Sequence, residues 1–298
     1  MLSLREKNKM KYSVIVVWFN PKEEEVKRAE ALAEKGVYIC VVDNSAEDCS
    51  EKVQENEYLH YLHNANKGGI AGGFNLGIEY TRRNRSETQY YFTMDQDSLL
   101  SKDYLDNMVD FSIKNNALIS CPNFFDRNAK VYGSFVLLTK YGYEITREGK
   151  THFCISSGMC ISKRAWDILG QFNELLIIDH VDTDFALRAF KEKIDIYVNY
   201  GECLNHAIGE RSRHRFCGVV IKPNHHSHVR KYYIVRNGTY LAIKNFGISK
   251  GYFLLNIMRV IHEFLSVVLY ENNKIEKIHY MIKGGYHGLR GKLGAIKK

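Results

Sequence analysis

The chain has 298 residues, 42 Lys and Arg against 34 Asp and Glu, 45% hydrophobic residues and three prolines. This size and composition predict a globular protein with a large core and exclude long disordered linkers. Seven cysteines without a Cys-x-x-Cys pair favour reduced thiols over a disulfide framework or a zinc site. We find no signal-peptide pattern and no uninterrupted apolar stretch of about 20 residues, so we expect no export leader and no membrane-spanning helix.

The positive charge is concentrated in the last quarter of the chain. Residues 222–298 contain 14 Lys and Arg and three Asp and Glu, a net charge of +11, whereas residues 1–221 have a net charge of −3. We interpret this change as a domain boundary. It divides the chain into a first domain at 12–221 and a basic region at 222–298.

Strands and helices alternate along the chain, which is typical of a parallel sheet covered on both faces. We predict strands at 13–19, 37–42, 58–62, 90–95, 117–121, 134–138, 154–162 and 194–199, and helices at 23–35, 74–83, 163–169 and 184–193. In the basic region, residues 252–270 form an amphipathic pattern that we expect to pack on its own domain. The glycine-rich basic tail at 284–292 is expected to be mobile or ordered only by a partner.

The segment Asp95-Gln96-Asp97 closes an apolar strand and carries the strongest functional signal. Carboxylates at the carboxyl end of a strand in an open α/β sheet point into the crevice where such sheets bind ligands. Paired acids there hold a divalent cation beside a nucleotide diphosphate. Asp-x-Asp also occurs in solvated turns, so the interpretation depends on the order of the motifs around it.

A glycine-rich segment at 66–73, NKGGIAGG, precedes this strand. It matches neither the Gly-x-Gly-x-x-Gly pattern of dinucleotide-binding domains nor a phosphate-binding loop with Gly-Lys-Ser/Thr. Its glycines would let backbone N–H groups approach a phosphate at a helix start. Tight packing of the helix on the sheet explains them equally well.

Four other polar residues have two interpretations each. Asp43 follows a strand, where it either accepts the ring N–H of a pyrimidine or forms an Asx turn. Asp182 and Asp184 lie at a helix start, where a carboxylate either caps the helix or acts as general base on a hydroxyl. His206 follows a strand as a lone histidine, either structural or a metal ligand.

In this order, the motifs resemble the GT-A fold glycosyltransferases of family 2, and within them the bacterial rhamnosyltransferase group. The resemblance extends from about residue 13 to residue 237 and more loosely into the tail. The matching segments are FNP at 19–21, VDN at 42–44, NKGGIAGGFNLG at 66–77, DQD at 95–97, SSG at 156–158, DTD at 182–184 with Arg188, HAIG at 206–209, and RKYYIVRN at 230–237.

The resemblance implies an α/β GT-A fold, a Rossmann-like and mostly parallel sheet flanked by helices, with a C-terminal helical extension. It implies that Asp97 and His206 hold a Mg or Mn ion and that Asp182 is the base of an inverting transfer. The family often has Glu before this Asp, whereas Val181 is found here, so Asp179 and Asp184 stay alternatives for the base. The implied nucleotide-sugar-binding residues are Phe19, Asn20, Asp43, Asn66, Lys67, Gly69, Gly72 and Asp95.

The expected activity is transfer of L-rhamnose from dTDP-β-L-rhamnose to a lipid-linked saccharide of a cell-surface polysaccharide. We expect this at a bacterial cytoplasmic location, with the basic C-terminal region contacting the membrane. One alternative is a family 2 transferase that uses a UDP-hexose or UDP-galactofuranose donor. Another is a basic nucleic-acid-binding protein, although the chain contains no recognised nucleic-acid motif and we expect no such partner.

Overall fold

The computed structural model describes residues 12–98, 101–126, 131–139, 141–206, 214–216 and 218–296. Thirteen strands lie within these ranges. They are β1 (Tyr12–Trp18), β2 (Ile39–Asp43), β3 (Leu59–His63), β4 (Tyr90–Asp95), β5 (Ile119–Asp126), β6 (Val131–Tyr132), β7 (Phe135–Leu138), β8 (Tyr143–Thr146), β9 (Lys150–Thr151), β10 (Met159–Ser162), β11 (Ile196–His206), β12 (His214–Phe216) and β13 (Val219–Ile221).

Eight α-helices and two short 3-10 helices, at Ser50–Lys52 and Glu174–Leu176, occur in the same described ranges. The α-helices are α1 (Glu23–Ala33), α2 (Gly69–Asn84), α3 (Lys102–Lys114), α4 (Lys163–Leu169), α5 (Val181–Lys191), α6 (His228–Lys244), α7 (Lys250–Tyr270) and α8 (Lys274–Leu289).

A mixed, mostly parallel sheet forms the centre of the molecule, as the sequence predicts. Its strands follow the order β3-β2-β1-β4-β10-β5-β11-β9, with β6 paired to β5. Strands β1 to β4 are parallel, and β10 runs antiparallel between β4 and β5. Strand β5 is parallel to β4, because both are antiparallel to β10, and β11 is parallel to β5. The carboxyl ends of β1, β2, β4, β5 and β11 therefore meet at one edge.

The register of the sheet places the polar strand ends side by side. Asp95 of β4 lies opposite Val17 of β1, and Asp43 of β2 lies opposite Trp18 of β1. Ligands of open α/β sheets bind at this edge. The fold therefore brings Asp43 and Asp95 to one crevice.

Helices cover both faces of the sheet. On one face, Phe74 of α2 and Phe185 of α5 belong to a core that includes Ile15 of β1. On the other face, Val26 of α1 and Met108 of α3 pack in a second core. Alternate residues of β1 enter the two cores, which explains why residues 14–18 of this strand are all apolar.

Two helices begin earlier than the sequence predicts. Helix α2 begins at Gly69 rather than at 74, so Gly72 and Gly73 are helical. A Cβ on Gly73 would lie 2.8 Å from Cγ2 of Val17, so glycine here allows close approach of helix and strand. Helix α5 begins at Val181 rather than at 184, which places Asp182 in its first turn.

The prediction of a mobile tail is wrong for the residues up to 296. Most of the tail forms α8, which packs closely against α6. A Cβ on Gly284 would lie 2.5 Å from the carbonyl oxygen of Tyr232, so this glycine permits contact between the two helix backbones. Beyond the helix, the Gly294 N–H donates to the Leu175 carbonyl at 2.8 Å.

Helix α7 packs on its own domain through the face that carries its polar residues. Asn256 is buried on this side, and Glu263 forms an ion pair with the buried Lys231 at 2.6 Å. Tyr252, Leu255 and Val267 are also buried on this side, whereas the apolar row from Leu254 to Val268 points outward. Within the described ranges, α7 is the one helix with the length and composition to cross a membrane, and 28% of its most apolar window is buried. Taken alone, this is weak evidence for a membrane span.

Candidate functional site

Three carboxylates face one another at the carboxyl edge of the sheet: Asp95 at the end of β4, Asp97 two residues later, and Asp182 in α5. Burial, followed by the charges of Asp97 and Asp182, raises the pKa of Asp95 to about 7, whereas Arg230 opposes the shift. The Oδ1 atom of Asp95 is buried and has no hydrogen-bond partner among the described residues. Neighbouring carboxylates with an unsatisfied oxygen form a site that a cation would stabilise.

Two carboxylates at this edge offer oxygen donors of the kind that divalent metal ions bind. Asp97 is exposed at the mouth of the crevice, and Asp95 adds the buried oxygen. Mg and Mn prefer such oxygen ligands. No cluster of three or more His, Cys, Asp or Glu arranged for a metal occurs among the described residues. The backbone of His206 ends β11 at the same edge, but its side chain lies outside the described part of the structure.

The Asp95 segment is fixed by its neighbours. The backbone N–H of Asp95 lies 3.5 Å from Oγ of the buried Ser157, which also bonds to the Ser98 hydroxyl. On the other side, Oε1 of Gln96 accepts the N–H of Phe19 at 2.6 Å. The DQD segment therefore touches both the loop after β1 and the SSG segment.

The three candidate bases differ in their partners. Asp179 forms an ion pair with Arg230 at 3.1 Å, and the nearly buried Asp184 accepts a hydrogen bond from Arg188 at 2.9 Å. Asp182 has no salt-bridge partner among the residues that the structure describes. Burial raises the pKa of Asp182; a hydrogen bond from the Thr183 N–H opposes this shift, and the charge of Asp179 adds to it. Of the three, Asp182 is the carboxylate without an ion pair among the described residues, and its role as the base stays a prediction.

A strained loop sets the position of Asp182. Ile177, Asp179 and His180 have φ values of +67°, +59° and +61°, which non-glycine residues rarely adopt. The loop is held by Asn237, whose Nδ2 lies 2.9–3.0 Å from three of its carbonyl oxygens. Such strain persists where the surroundings fix the backbone, typically at functional sites.

Asp43 is fully buried, and both its oxygens are engaged. Oδ1 accepts the N–H and hydroxyl of Ser45, and Oδ2 accepts the Tyr61 hydroxyl at 2.8 Å. This arrangement is an Asx turn, the alternative to base recognition. In the loop after β1, Phe19 is 54% exposed, and the N–H of Asn20 donates to the Ser45 hydroxyl at 2.7 Å.

The contacts of the glycine-rich segment favour packing over phosphate binding at two positions. Gly69 has φ +63°, and a Cβ there would lie 2.0 Å from the carbonyl oxygen of Ile177. That carbonyl accepts the N–H of Ile70 at 3.1 Å and so occupies the start of α2. A Cβ on Gly72 would lie 2.0 Å from the Lys67 carbonyl oxygen. The side chains of Asn66 and Lys67 are exposed, and nucleotide binding by this segment stays a prediction.

Two further residues reach the site without having been assigned a role from the sequence. Burial raises the pKa of Asp95 and of Asp179, and the charge of Arg230 opposes both shifts. Burial raises the pKa of Asp182 and lowers that of His180, and the charge of Arg259 on α7 acts to lower both. The RKYYIVRN motif contained a signal for Arg230. In the sequence, Arg259 appears only as a polar residue within an otherwise apolar helix.

Comparison with known proteins agrees with this fold. The family model described as "Glycosyl transferase family 2" matches residues 13–169. The chain is 33% identical over 298 aligned residues to the dTDP-rhamnosyl transferase RfbF of Shigella flexneri, covering 95% of this chain and 96% of that protein. It is 24% identical to the low-salt glycan biosynthesis hexosyltransferase Agl10 of Haloferax volcanii, covering 95% and 92%.

Two solved structures share the fold. S. aureus TarS 1-349 has a TM-score of 0.57 at 13% identity, with coverage of 94% of this chain and 81% of that chain. GalNAc-T7 with UDP, GalNAc and Mn2+ has a TM-score of 0.51 at 11% identity, with coverage of 88% and 56%. These likenesses support the GT-A fold. The family match and the 33% identical relative show that the chain belongs to glycosyl transferase family 2.

Proposed function

We propose that the protein is an inverting rhamnosyltransferase that uses dTDP-β-L-rhamnose as its donor. The observation that carries this choice is the 33% identity, over nearly the full length of both chains, to a dTDP-rhamnosyl transferase. Family membership makes sugar transfer the activity and removes the nucleic-acid-binding alternative. The carboxylates at the edge of the sheet supply the groups that the reaction needs.

In the proposed mechanism, Asp182 is the general base. It accepts the proton of an acceptor hydroxyl while that oxygen forms a bond to the anomeric carbon of the donor. The bond between this carbon and the diphosphate oxygen breaks in the same displacement, so the configuration inverts. Burial of Asp182 supports the role, because a raised pKa makes a carboxylate a stronger base.

Asp97 would hold a Mg or Mn ion, with Asp95 beside it and His206 as a further ligand. The ion would neutralise charge on the departing diphosphate. The unpaired Oδ1 of Asp95 supports this assignment. A structural neighbour was solved with UDP and Mn2+, which is consistent with a metal at this edge.

The remaining residues of the site would bind the nucleotide sugar. Asp95 would contact ribose or sugar, and the exposed ring of Phe19 is available for contact with a ligand. Asp43 would recognise the pyrimidine base. Its carboxylate would accept the base N–H with a lone pair that its hydrogen bonds from Ser45 and Tyr61 do not use. The other members of this group are Asn20, Asn66, Lys67, Gly69 and Gly72.

We place the acceptor on a lipid carrier and the enzyme at the cytoplasmic face of a bacterial membrane. The support is the net charge of +11 in residues 222–298, which suits a surface rich in anionic headgroups. In this proposal, the region at 12–221 binds the donor and performs the chemistry, and the region at 222–298 meets the membrane.

A panel of nucleotide sugars tests the proposal. With Mg or Mn present, we expect hydrolysis or transfer from dTDP-β-L-rhamnose and little from UDP-hexoses or UDP-galactofuranose. Asp97→Ala should abolish turnover, and it should weaken nucleotide binding only when metal is present. Equal activity in excess chelator would exclude the metal role, and preference for a UDP-sugar would move the enzyme to another branch of the family.

A further inference from the structure

Helix α7 presents an unpartnered apolar row to the outside of the molecule. The side chains of this row are 37–48% exposed and recur every three or four residues, so they lie along one face. Phe246, also exposed, contacts Phe253 at 5.0 Å between ring centroids and extends the surface beyond the amino end of the helix. We call this row the α7 stripe; it consists of Leu254, Ile257, Met258, Ile261, Phe264, Leu265 and Val268.

The opposite face of α7 is fixed to the protein. Lys231 of α6 is fully buried and forms ion pairs with Glu263 at 2.6 Å and Glu271 at 2.8 Å. Asn224 donates to Glu263 at 3.1 Å, and Tyr252 is completely buried. Turning the helix over would leave the charge of Lys231 buried without its partners, which is strongly unfavourable. The stripe therefore stays outward.

The exposed charged residues of segment 243–274, which carries the α7 stripe, are all positive, whereas Glu276 beyond it and Glu144 on β8 are exposed acids. The structure describes every residue from 243 to 274, and the exposed charged residues in this range are Lys244, Lys250 and Lys274. Both acids in the range lie inward, since Glu263 is 15% exposed and Glu271 is fully buried. Lysines thus stand at both ends of an apolar row with no exposed carboxylate in this segment, a pattern that complements an anionic lipid surface.

We propose that the α7 stripe is a membrane-docking surface for a bilayer that contains anionic phospholipid. Helix α7 lies along the interface, with its apolar row at the boundary of headgroups and acyl chains and its lysines on the headgroups. A second copy of the chain fits less well. A twofold axis would bring Lys250 towards either Lys250 or Lys274 of the copy, so like charges would meet.

The orientation of α7 connects the membrane to the active site. Its inner face carries Tyr252 and Arg259, and both interact electrostatically with Asp182. A helix is about 10 Å across, so the crevice would open roughly one helix diameter from the lipid surface. This inference rests on the proposed function in one respect: a lipid-linked acceptor explains why the site should lie so close to a membrane.

Liposome flotation of the full chain tests the docking surface. We compare phosphatidylcholine vesicles with and without phosphatidylglycerol, each at low and high salt. The protein should float with the anionic vesicles at low salt and be released at high salt. The double change Ile261→Asp with Phe264→Asp should reduce vesicle affinity by at least about tenfold, because two apolar side chains would lose their burial in the interface.

Matched variants separate the stripe from general effects. Ile113→Asp with Ile168→Asp changes side chains that are as exposed as Ile261, 47% each, but lie on α3 and α4. This control should float like the wild type. Lys250→Gln with Lys274→Gln should reduce affinity by about fivefold for each lysine and weaken the salt dependence.

Three results would overturn the docking surface. The first is a wild type that does not float with anionic vesicles, and the second is equal loss in the stripe and control variants. The third is a dimer, seen by sedimentation, that Ile261→Asp dissociates while flotation is absent. The assay with the panel of nucleotide sugars is interpreted independently of flotation. Flotation without rhamnosyl transfer refutes the proposed function alone, whereas transfer to a water-soluble acceptor without flotation refutes the docking surface alone.

Discussion

At the scale of single residues, the account depends most on Asp182. Asparagine keeps the size of this side chain and can still accept the Thr183 N–H, but it does not take up the acceptor proton. We therefore expect Asp182→Asn to lower kcat by about 10²–10⁴-fold with little change in the Kd of the donor. Initial rates and calorimetry measure the two quantities.

The two neighbouring acids are the controls. Asp184 is buried and paired with Arg188, so Asp184→Asn should lower stability more than turnover. Asp179→Asn should loosen the loop through loss of its pair with Arg230, with a smaller effect on kcat than Asp182→Asn. An active Asp182→Asn enzyme beside an inactive Asp179→Asn enzyme would reassign the base to Asp179.

The lowered pKa of His180 predicts how the free energy of unfolding changes with pH. Burial, followed by the charge of Arg259, lowers the pKa of His180 to about 3, against an ordinary value of 6.5. Between these values the unfolded chain binds more protons, so the stabilisation is complete above pH 6.5 and is lost as pH falls towards 3. The loss at pH 5 should be about 1–2 kcal/mol.

Urea denaturation at neutral pH and at about pH 5 measures this slope. His180→Asn should flatten it, because asparagine does not titrate and tolerates the left-handed backbone at this position. His279→Asn, a change of an exposed histidine on α8, should keep the wild-type slope. If His180→Asn also keeps the wild-type slope, His180 is not the group responsible.

At the scale of elements, close backbone packing at the start of α2 requires glycine at position 69. Gly69 has a positive φ and also lies against the Ile177 carbonyl, whereas Gly36 has φ +76° with open space around its Cα. Gly36→Ala should therefore cost about 1–2 kcal/mol of unfolding free energy, the backbone strain alone. Gly69→Ala should cost about 1–3 kcal/mol more, because the loop before α5 must move.

Chemical denaturation compares these two glycine variants. Equal losses would mean that the close approach of residues 69 and 177 does not constrain the fold. A larger loss at Gly69, accompanied by a fall in kcat, would connect the packing of α2 to the loop that positions Asp182.

At the scale of the whole molecule, the central sheet followed from sequence pattern. The strand that ends at Asp95 is apolar along its length because both faces of the sheet are covered, and this is a local signal. The motif order also located the acids at one sheet edge. The six described cysteines are free in this fold, and their reduced state stays a prediction.

The parts that the sequence did not predict depend on long-range contacts. Helix periodicity shows that α7 has a polar and an apolar side, but not which side faces the protein. The deciding residue is Lys231, whose buried charge needs the acids of α7. Glycines in the tail indicated flexibility, whereas in the fold Gly284 lets α8 approach α6. The approach of Arg259 to Asp182 likewise depends on tertiary packing.

The stereochemistry of a single transfer reaction tests the central claim most directly. The enzyme is given dTDP-β-L-rhamnose labelled with carbon-13 at the anomeric position, Mg or Mn, and a saccharide acceptor, and NMR reads the one-bond carbon–hydrogen coupling at that carbon. Our account predicts an α-L-rhamnoside from the wild type and almost none from Asp182→Asn. A β-linked product, or no rhamnosyl transfer while a UDP-sugar is consumed, would contradict it.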